Sequence, residues 1–217
     1  WSASSQQLRD RFDSAYHLEA ISDDRHNLTQ AGGIRLGDVA TIVKPGGRYK
    51  MVYVNPGHGH PFLSGRQILQ ADVVAPKNLS PHSAQAAGGF ALQQDSVIFQ
   101  SDGRAEEGLG YPAYVTPERD GWLASGHVGR ALPHDPSDAG WIWASMASNV
   151  VRSQVVALST GSVVDALYPD DVANVLLPPR DVVDSDAIRA AWNRMAEGSQ
   201  LLEEASAMID DTLGTID

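Results

Sequence analysis

The stretch DAGWIWASMASNVVRSQVVALSTGSVVDALYPDDVANVLLPP, residues 138–179, decides the fold class. Its first half predicts two consecutive helices, the second capped by Ser148 or Asn149 and stopped by Gly161. SVVDAL then predicts an extended segment, YPDDVANV one helical turn, and LLPP a last short strand that two prolines close. Because these helices follow a series of strands, the pattern indicates an α/β (α+β) fold.

A body of short strands is predicted before residue 138. The segments IRLGDVATIV (34–43), YKMVYV (49–54), ADVVAP (71–76) and DSVIFQSDG (95–103) have β-branched or alternating patterns, and residues 111–133 contain two or three more strands. We expect a short helix within residues 5–28 and a turn at Gly37–Asp38. The prolines and glycines of NPGHGHP (55–61) predict irregular structure there.

A single long acidic helix is predicted after Arg180, with Asp184 or Ser185 as its cap. One apolar stripe at helical spacing runs along it, formed by Ile188, Trp192, Met195, Leu202, Ile209 and Leu213. Such a stripe has no core of its own and needs a partner. Packing back on the body remains open, but we favour an outside partner, with a domain at 1–180 and a coiled-coil-type helix at 181–217.

Composition excludes several classes of protein. The 217 residues are 42% hydrophobic and 20% charged, which suits one folded domain. The absence of cysteine excludes disulfides, thiolate catalysis and Cys-type zinc sites. No apolar run is long enough to span a membrane and no signal-peptide pattern opens the chain, so we expect a soluble, cytoplasmic protein. A start at Trp1 suggests a trimmed chain or a piece of a longer polypeptide.

The net charge of −11 is unevenly distributed. Residues 181–217 hold nine acids and two bases, a net −7, whereas residues 39–94 hold five bases and the single acid Asp72, a net +4. Since salt screens charges beyond roughly 8–10 Å, the local field matters more for binding than the total charge. One part of this acidic protein can therefore face phosphate groups.

No catalytic motif stands out. The patterns G-x-S-x-G and G-x-x-x-x-G-K-[ST], and a G-x-G-x-x-G between a strand and a helix, are all absent. His58 and His60 in GHGH form an H-x-H pair, and Asp72 or His82 is available as a third metal ligand. Nothing in the spacing requires that ligand, so we favour a polar loop. The chain is therefore expected to be neither an enzyme nor a metal protein.

The order of segments resembles one half of the specificity (S) subunit of type I restriction–modification systems. RFDSAYH (11–17), which leads into IRLGDVATIV, resembles the start of a DNA target-recognition domain of that family. PFLSGRQILQ (61–70) resembles the segment after its first strands, and residues 95–133 resemble its central strand series. The stretch 138–179 carries the most specific likeness, to the end of the domain.

This resemblance implies a target-recognition domain that directs a partner DNA methyltransferase, of the N6-adenine type, to a DNA half-site. It implies as partners double-stranded DNA, the modification subunit, through it a restriction subunit, and a second copy or second half of the specificity subunit at the C-terminal helix. Catalysis and S-adenosylmethionine belong to the partner in this family, so no cofactor is expected here.

A basic, loop-rich face is the expected DNA-binding surface, because Lys and Arg contact phosphates while Arg, His, Gln and Asn read base edges. Its candidate residues are Lys44, Arg48, Lys50, His58, His60, Arg66, Lys77, Arg104 and Arg130. The GHGH loop is interpreted as part of this face, with glycines that let the backbone approach DNA.

Two other functions remain open from the residues alone. The chain could be an adaptor that assembles a complex through its C-terminal helix without binding DNA. It could also be a metal-dependent hydrolase that uses His58, His60 and a carboxylate, the less favoured of the two.

Overall fold

A computed structural model of the chain describes residues 19–45, 50–70, 73, 76–86, 88–104, 108–159 and 165–214. Its helices are α1 (Glu19–Gln30), α2 (Leu36–Val39), α3 (Pro81–Ala86), α4 (Ala139–Ala147), α5 (Asn149–Ala157), α6 (Pro169–Ala173) and α7 (Ser185–Gly214). Its strands are β1 (Ile34–Arg35), β2 (Ala40–Val43), β3 (Tyr53–Val54), β4 (His60–Leu63), β5 (Lys77–Leu79), β6 (Val97–Gln100), β7 (Asp102–Gly103), β8 (Pro112–Tyr114), β9 (Leu123–Ala124), β10 (Val128–Pro133), β11 (Asp165–Ala166) and β12 (Leu176–Leu177). No described helix is long and apolar enough to cross a membrane.

The larger sheet is antiparallel and has the strand order β2-β10-β6-β8. All four residues of β6 are buried, because its two faces meet different cores. Val97 and Phe99 join the main core with α4 and α5, whereas Ile98 joins a second cluster with Leu63 and Val128. This double burial explains the uninterrupted apolar run VIF in the sequence.

The smaller sheet has the order β3-β5-β4-β9, in which only β4 and β9 are parallel. Phe62 and Leu79 form a third apolar cluster with Ala84 of α3. Leu63, the next residue of β4, joins the second cluster. Successive side chains of β4 thus point to opposite faces, and both faces are covered. Two pairs of short strands, β1 with β12 and β7 with β11, complete the pairing.

The long helix α7 has 30 residues, so its axis is roughly 45 Å long. Asp184 caps it, since its Oδ1 accepts from the Ala187 N–H at 2.9 Å. Its first half packs on α4, where Trp192 is half-buried and Ala196 is buried. Residues 201–209 are all exposed. The apolar stripe therefore divides into a half that meets the body and a half that faces solvent.

The α+β class, the two helices after Asp138, the final strand and the long helix are confirmed. The predicted turn at Gly37–Asp38 is instead part of the single helical turn α2. Ser148 does not cap α5 with its side chain; its hydroxyl donates to the Ser145 carbonyl at 2.6 Å. A hydrogen bond at the corner between α4 and α5 therefore takes the place of the predicted side-chain cap.

Three strand boundaries also differ from the prediction. Among the described residues 50–54 of YKMVYV, the strand is Tyr53–Val54. NPGHGHP is not irregular throughout, since His60 and Pro61 already belong to β4. Proline is tolerated in a strand where no ladder hydrogen bond needs its nitrogen. Strand β5 begins at Lys77, after the predicted ADVVAP segment, of which residues 71, 72, 74 and 75 lie outside the described residues.

Candidate nucleic-acid interface

The ends of β4 and β9 adjoin. Leu63 pairs with Ala124, and the Ser125 N–H donates to the Leu63 carbonyl at 2.9 Å. The loop after β4 also lies against the end of β6, because a Cβ at Gly65 would be 3.5 Å from Gln100 Cγ. Since β4 and β9 are parallel, the chain leaves both strands in the same direction.

Strand β10 begins at this same end of the molecule. Val128 pairs with Gln100, the last residue of β6, and Arg130 pairs with Val43, the last residue of β2. The loops after β2, β4 and β6 therefore lie beside the turn that leads into β10. Lys44 and Arg66 lie in the loops after β2 and β4, Arg104 follows β7, and Lys77 begins β5 opposite Phe62. We call this group the cationic end: Lys44, Arg66, Lys77 and Arg104.

Three members of the cationic end are exposed: Arg66, Lys77 and Arg104. The Lys77 ammonium lies over the Tyr53 ring, 4.7 Å from its centroid. Lys44 differs from them, because its side chain is 22% exposed and its Nζ lies 2.8 Å from Asp102 Oδ1. Asp102 therefore neutralises much of the Lys44 charge within the protein.

Asp102 accepts hydrogen bonds from three side chains: Lys44, Ser101 and His127. Burial by itself raises the pKa of the Asp102 carboxyl, but these three hydrogen bonds outweigh it and hold the pKa below its ordinary value. The carboxylate therefore stays charged at neutral pH. It fixes Lys44 on one oxygen and the His127 ring on the other.

Lys50 and His60 lie at the opposite end of the small sheet, and His58 lies in the turn between β3 and β4, where its N–H donates to the Asn55 carbonyl at 3.1 Å. His60 begins β4 and pairs with Leu79, the last residue of β5. The Lys50 carbonyl accepts from Ser83 Oγ in α3 at 2.9 Å. All three side chains are exposed. The four residues of β4, roughly 13 Å in length, separate His60 from the loop that carries Arg66.

The glycines of GHGH have roles within the fold. Gly57 has φ +79°, which glycine adopts more readily than other residues. A Cβ at Gly59 would lie 2.2 Å from the Leu79 carbonyl oxygen, so the close backbone approach at this position is to β5. The loop thus needs its glycines for the turn and the sheet, a reason that the sequence interpretation did not include.

Arg130 is not on the surface, contrary to its predicted place on a DNA-binding face. It is 3% exposed in β10, and its Nη1 donates to the Gly89 carbonyl at 3.0 Å. Burial lowers its pKa to about 10. Its neighbours in the sheet cover it, which the sequence pattern did not indicate. Arg48, another predicted contact, lies outside the described residues, as does the RFDSAYH segment.

Comparison with known proteins gives structural neighbours alone, since no family model and no curated protein matches the chain. The type IIG restriction endonuclease BpuSI has 11% sequence identity and a TM-score of 0.60, over 85% of this chain and 28% of the enzyme. The chain shares its fold with part of a restriction endonuclease.

Specificity subunits of type I restriction–modification systems, which the sequence resembles, are also among these neighbours. The HsdS subunit of Thermoanaerobacter tengcongensis has 15% identity and a TM-score of 0.48, over 86% of this chain and 46% of that one. The S subunit of M. genitalium has 12% identity and a TM-score of 0.48, over 82% and 41%. The chain thus spans less than half the length of either subunit.

The predicted helix-pairing residues fall into two groups. Ile188 and Trp192 are half-buried against the body, whereas Met195, Leu202 and Ile209 are exposed. The Leu213 side chain lies outside the described residues. Within the described ranges, no three His, Asp or Glu side chains come together as metal ligands.

Sequence reasoning missed the pairing of His127 with Asp102. His127 lies in ASGHVG (124–129), a segment of common residues with no motif, and its partner is 25 positions away. A histidine just before a predicted strand was the only available signal. The pairing depends on strand register, which a pattern of hydrophobic residues does not give.

Proposed function

We propose that this chain is a target-recognition module that binds a specific sequence of double-stranded DNA. The observation that supports it is the convergence of the exposed Arg66, Lys77 and Arg104 at one end of two sheets, beside Lys44, which is paired with Asp102. Residues 39–94, which supply three of these four, contain a single acid. Cationic side chains on adjoining loops suit a phosphate backbone, because each contact releases condensed counterions.

Many of the acidic residues lie in the C-terminal part of the chain. Helix α7, from Ser185 to Gly214, contains six acids and two bases. The net negative charge of the isolated chain therefore repels DNA, while the positive charge at the cationic end attracts it. We infer that DNA binding is weak for the chain alone and is strengthened by a partner that adds positive charge.

We infer that this partner is a DNA methyltransferase subunit, which the chain directs to its target half-site. A restriction subunit would join through the methyltransferase, and S-adenosylmethionine would bind there and not here. The likeness to restriction proteins supports this assignment, although a fold by itself does not fix a function. The exposed apolar residues of α7 offer a surface for the methyltransferase, for a second copy of the chain or for the second half of a specificity subunit.

Selection from a library of random duplexes, with and without the cognate methyltransferase subunit, tests the proposal. We expect one sequence to be enriched, and its affinity to fall steeply as salt rises. Replacing both Arg66 and Lys77 by alanine should weaken binding at least tenfold and lower the salt slope by about two. The matched control is Arg194→Ala, an exposed arginine of α7, which should change neither quantity. No enrichment in either state would refute the proposal.

The adaptor function remains a second candidate, because Leu201, Leu202, Met208 and Ile209 are 60–72% exposed. It predicts helix-dependent association without DNA affinity. Replacing Leu202 and Ile209 by glutamine would then abolish complex assembly, while the Arg66 and Lys77 variant would assemble normally and show no other defect.

A further inference from the structure

Three hydrogen bonds hold His127, two at its backbone and one at its ring, although its side chain is 72% exposed. Its N–H donates to Ser125 Oγ at 3.2 Å, and its carbonyl accepts from the Ser101 N–H at 2.9 Å. Its ring Nδ1 lies 3.2 Å from Asp102 Oδ2. An exposed side chain ordinarily loses rotamer freedom when it binds a ligand. For His127 the ring contact with Asp102 already restricts the side chain in the free protein.

The support beneath His127 is itself fixed. Asp102 has a side chain only 19% exposed, and it receives Lys44 Nζ and Ser101 Oγ at 2.8 and 2.9 Å. The backbone on both sides of this support belongs to paired strands, β6 with β10 and β7 with β11. The histidine ring therefore has a defined direction.

The nitrogen left for a new contact is Nε2. Among the described residues, no hydrogen bond engages it, whereas Nδ1 is taken by Asp102. When one ring nitrogen donates to a carboxylate, the other presents a lone pair in the neutral ring and an N–H in the charged ring. The lone pair can accept from the amino group of adenine or cytosine in the major groove, and the N–H can donate to the guanine edge.

A base edge fits this site better than a phosphate does. The Asp102 carboxylate lies beside the His127 ring, and it already holds the Lys44 ammonium, which is therefore not available to a phosphate at this position. A phosphate at Nε2 would gain no contact with that ammonium, whereas a neutral base edge needs none. Hydrogen-bond readout also needs a fixed direction, which phosphate contacts by long, flexible side chains such as Arg66 do not need.

We propose that His127 reads one base pair of the target, with Asp102 as the residue that positions its ring. The inference rests on the proposed function and deepens it, because it names a residue that gives sequence selectivity. The cationic end would supply affinity for any sequence, and His127 would add preference at a single position.

The test compares the duplex selected by the wild-type chain with a scrambled duplex of equal length, with the methyltransferase subunit present. His127→Ala should weaken binding to the selected duplex roughly tenfold and leave the scrambled duplex unchanged. A new selection with this variant should lose its preference at one base pair and keep it elsewhere. Arg66→Ala should weaken both duplexes together.

Two variants provide matched controls. His134 is an exposed histidine just beyond the far end of β10, about 20 Å along the strand, and His134→Ala should change neither duplex. Asp102→Asn should reduce selectivity in part, and adding it to His127→Ala should cause no further loss of selectivity. Thermal unfolding of each variant separates misfolding from lost readout; His127→Ala should keep its Tm because the side chain is exposed.

The outcomes are distinguishable. If the wild-type chain enriches no sequence, the proposed function fails and the role of His127 with it. If the wild type is selective and His127→Ala keeps the full preference at every position, His127 is not a reader and the inference is wrong. Equal weakening of both duplexes would show a phosphate contact and would also overturn it.

Discussion

Trp192 of α7 lies edge-on against Trp143 of α4, with ring centroids 5.2 Å apart and planes at 81°. Its other neighbour is the buried Tyr114, on which it stacks at 6.3 Å. These contacts attach the first half of the long helix to the body. Farther along the helix, residues 201–209 are all exposed.

Replacing Trp192 by alanine should therefore lower the free energy of unfolding by about 2 kcal/mol, less than the roughly 3–5 kcal/mol of a fully buried aromatic residue, because the side chain is half-buried. Urea unfolding followed by circular dichroism measures the loss. Leu202→Ala, at a 64% exposed position of the same helix, is the control and should change stability by less than about 0.5 kcal/mol. Equal losses for the two variants would show that α7 is not anchored by Trp192.

Two glycine-to-alanine substitutions in helices should change the free energy of unfolding in opposite directions. A Cβ at Gly140 would lie 2.2 Å from the Ser185 carbonyl oxygen, so Gly140→Ala forces α4 and the start of α7 apart. We expect a loss of about 2 kcal/mol or more. A Cβ at Gly198 meets nothing within 4 Å, so Gly198→Ala should gain roughly 0.5–1 kcal/mol from helix propensity. Thermal unfolding of both variants checks the signs, and stabilisation by Gly140→Ala would contradict the packing.

Arg180, in the turn between β12 and α7, forms a two-pronged ion pair with Asp138, the residue before α4. Its Nε and Nη2 each donate to one oxygen of Asp138 at 2.8 Å, and its guanidinium lies 4.8 Å from the Trp141 ring centroid. Lysine cannot reproduce the paired hydrogen bonds. We expect Arg180→Lys to cost about 1 kcal/mol, a modest value because the arginine side chain is half-exposed. A double-mutant cycle with Asp138→Asn measures the coupling, and zero coupling would contradict the prediction.

Tyr114 should stay protonated in the folded protein under alkaline conditions. Burial raises the pKa of its phenol above the ordinary value, and the hydrogen bond to Asp95 raises it further. The unfolded chain then releases this proton at a lower pH than the folded chain, so the free energy of unfolding falls as pH rises above about 10. Tyr114→Phe should remove this part of the alkaline destabilisation.

Absorbance at the tyrosinate band provides the measurement. Before unfolding, the wild type and Tyr114→Phe should titrate the same number of tyrosines; after unfolding, the wild type should titrate one more. An extra tyrosine that titrates in the folded wild type would show that the Tyr114 phenol is accessible to solvent.

Local patterns predicted several elements that tertiary contacts then stabilise. DSVIFQSDG predicts the strand β6, the segments after Asp138 with a cap candidate at Ser148 or Asn149 predict α4 and α5, and an apolar stripe at helical spacing predicts α7. The same rules failed for Gly37–Asp38, where Gly37 lies against Ala173 of α6, and for Ser148, whose hydroxyl donates to the Ser145 carbonyl of the preceding turn. Arg130 was predicted on the surface because arginine is seldom buried.

The sequence by itself determined the α+β class, the long helix and the separation of charge between residues 39–94 and the C-terminus, since these depend on composition and on spacing along the chain. Only the tertiary structure decided which half of the apolar stripe meets the body, because a stripe has the same spacing whatever covers it. It also decided that Lys44, Arg66, Arg104 and the Asp102–His127 pair share one end of the molecule. Strand order and register bring such distant residues together, and no single segment encodes them.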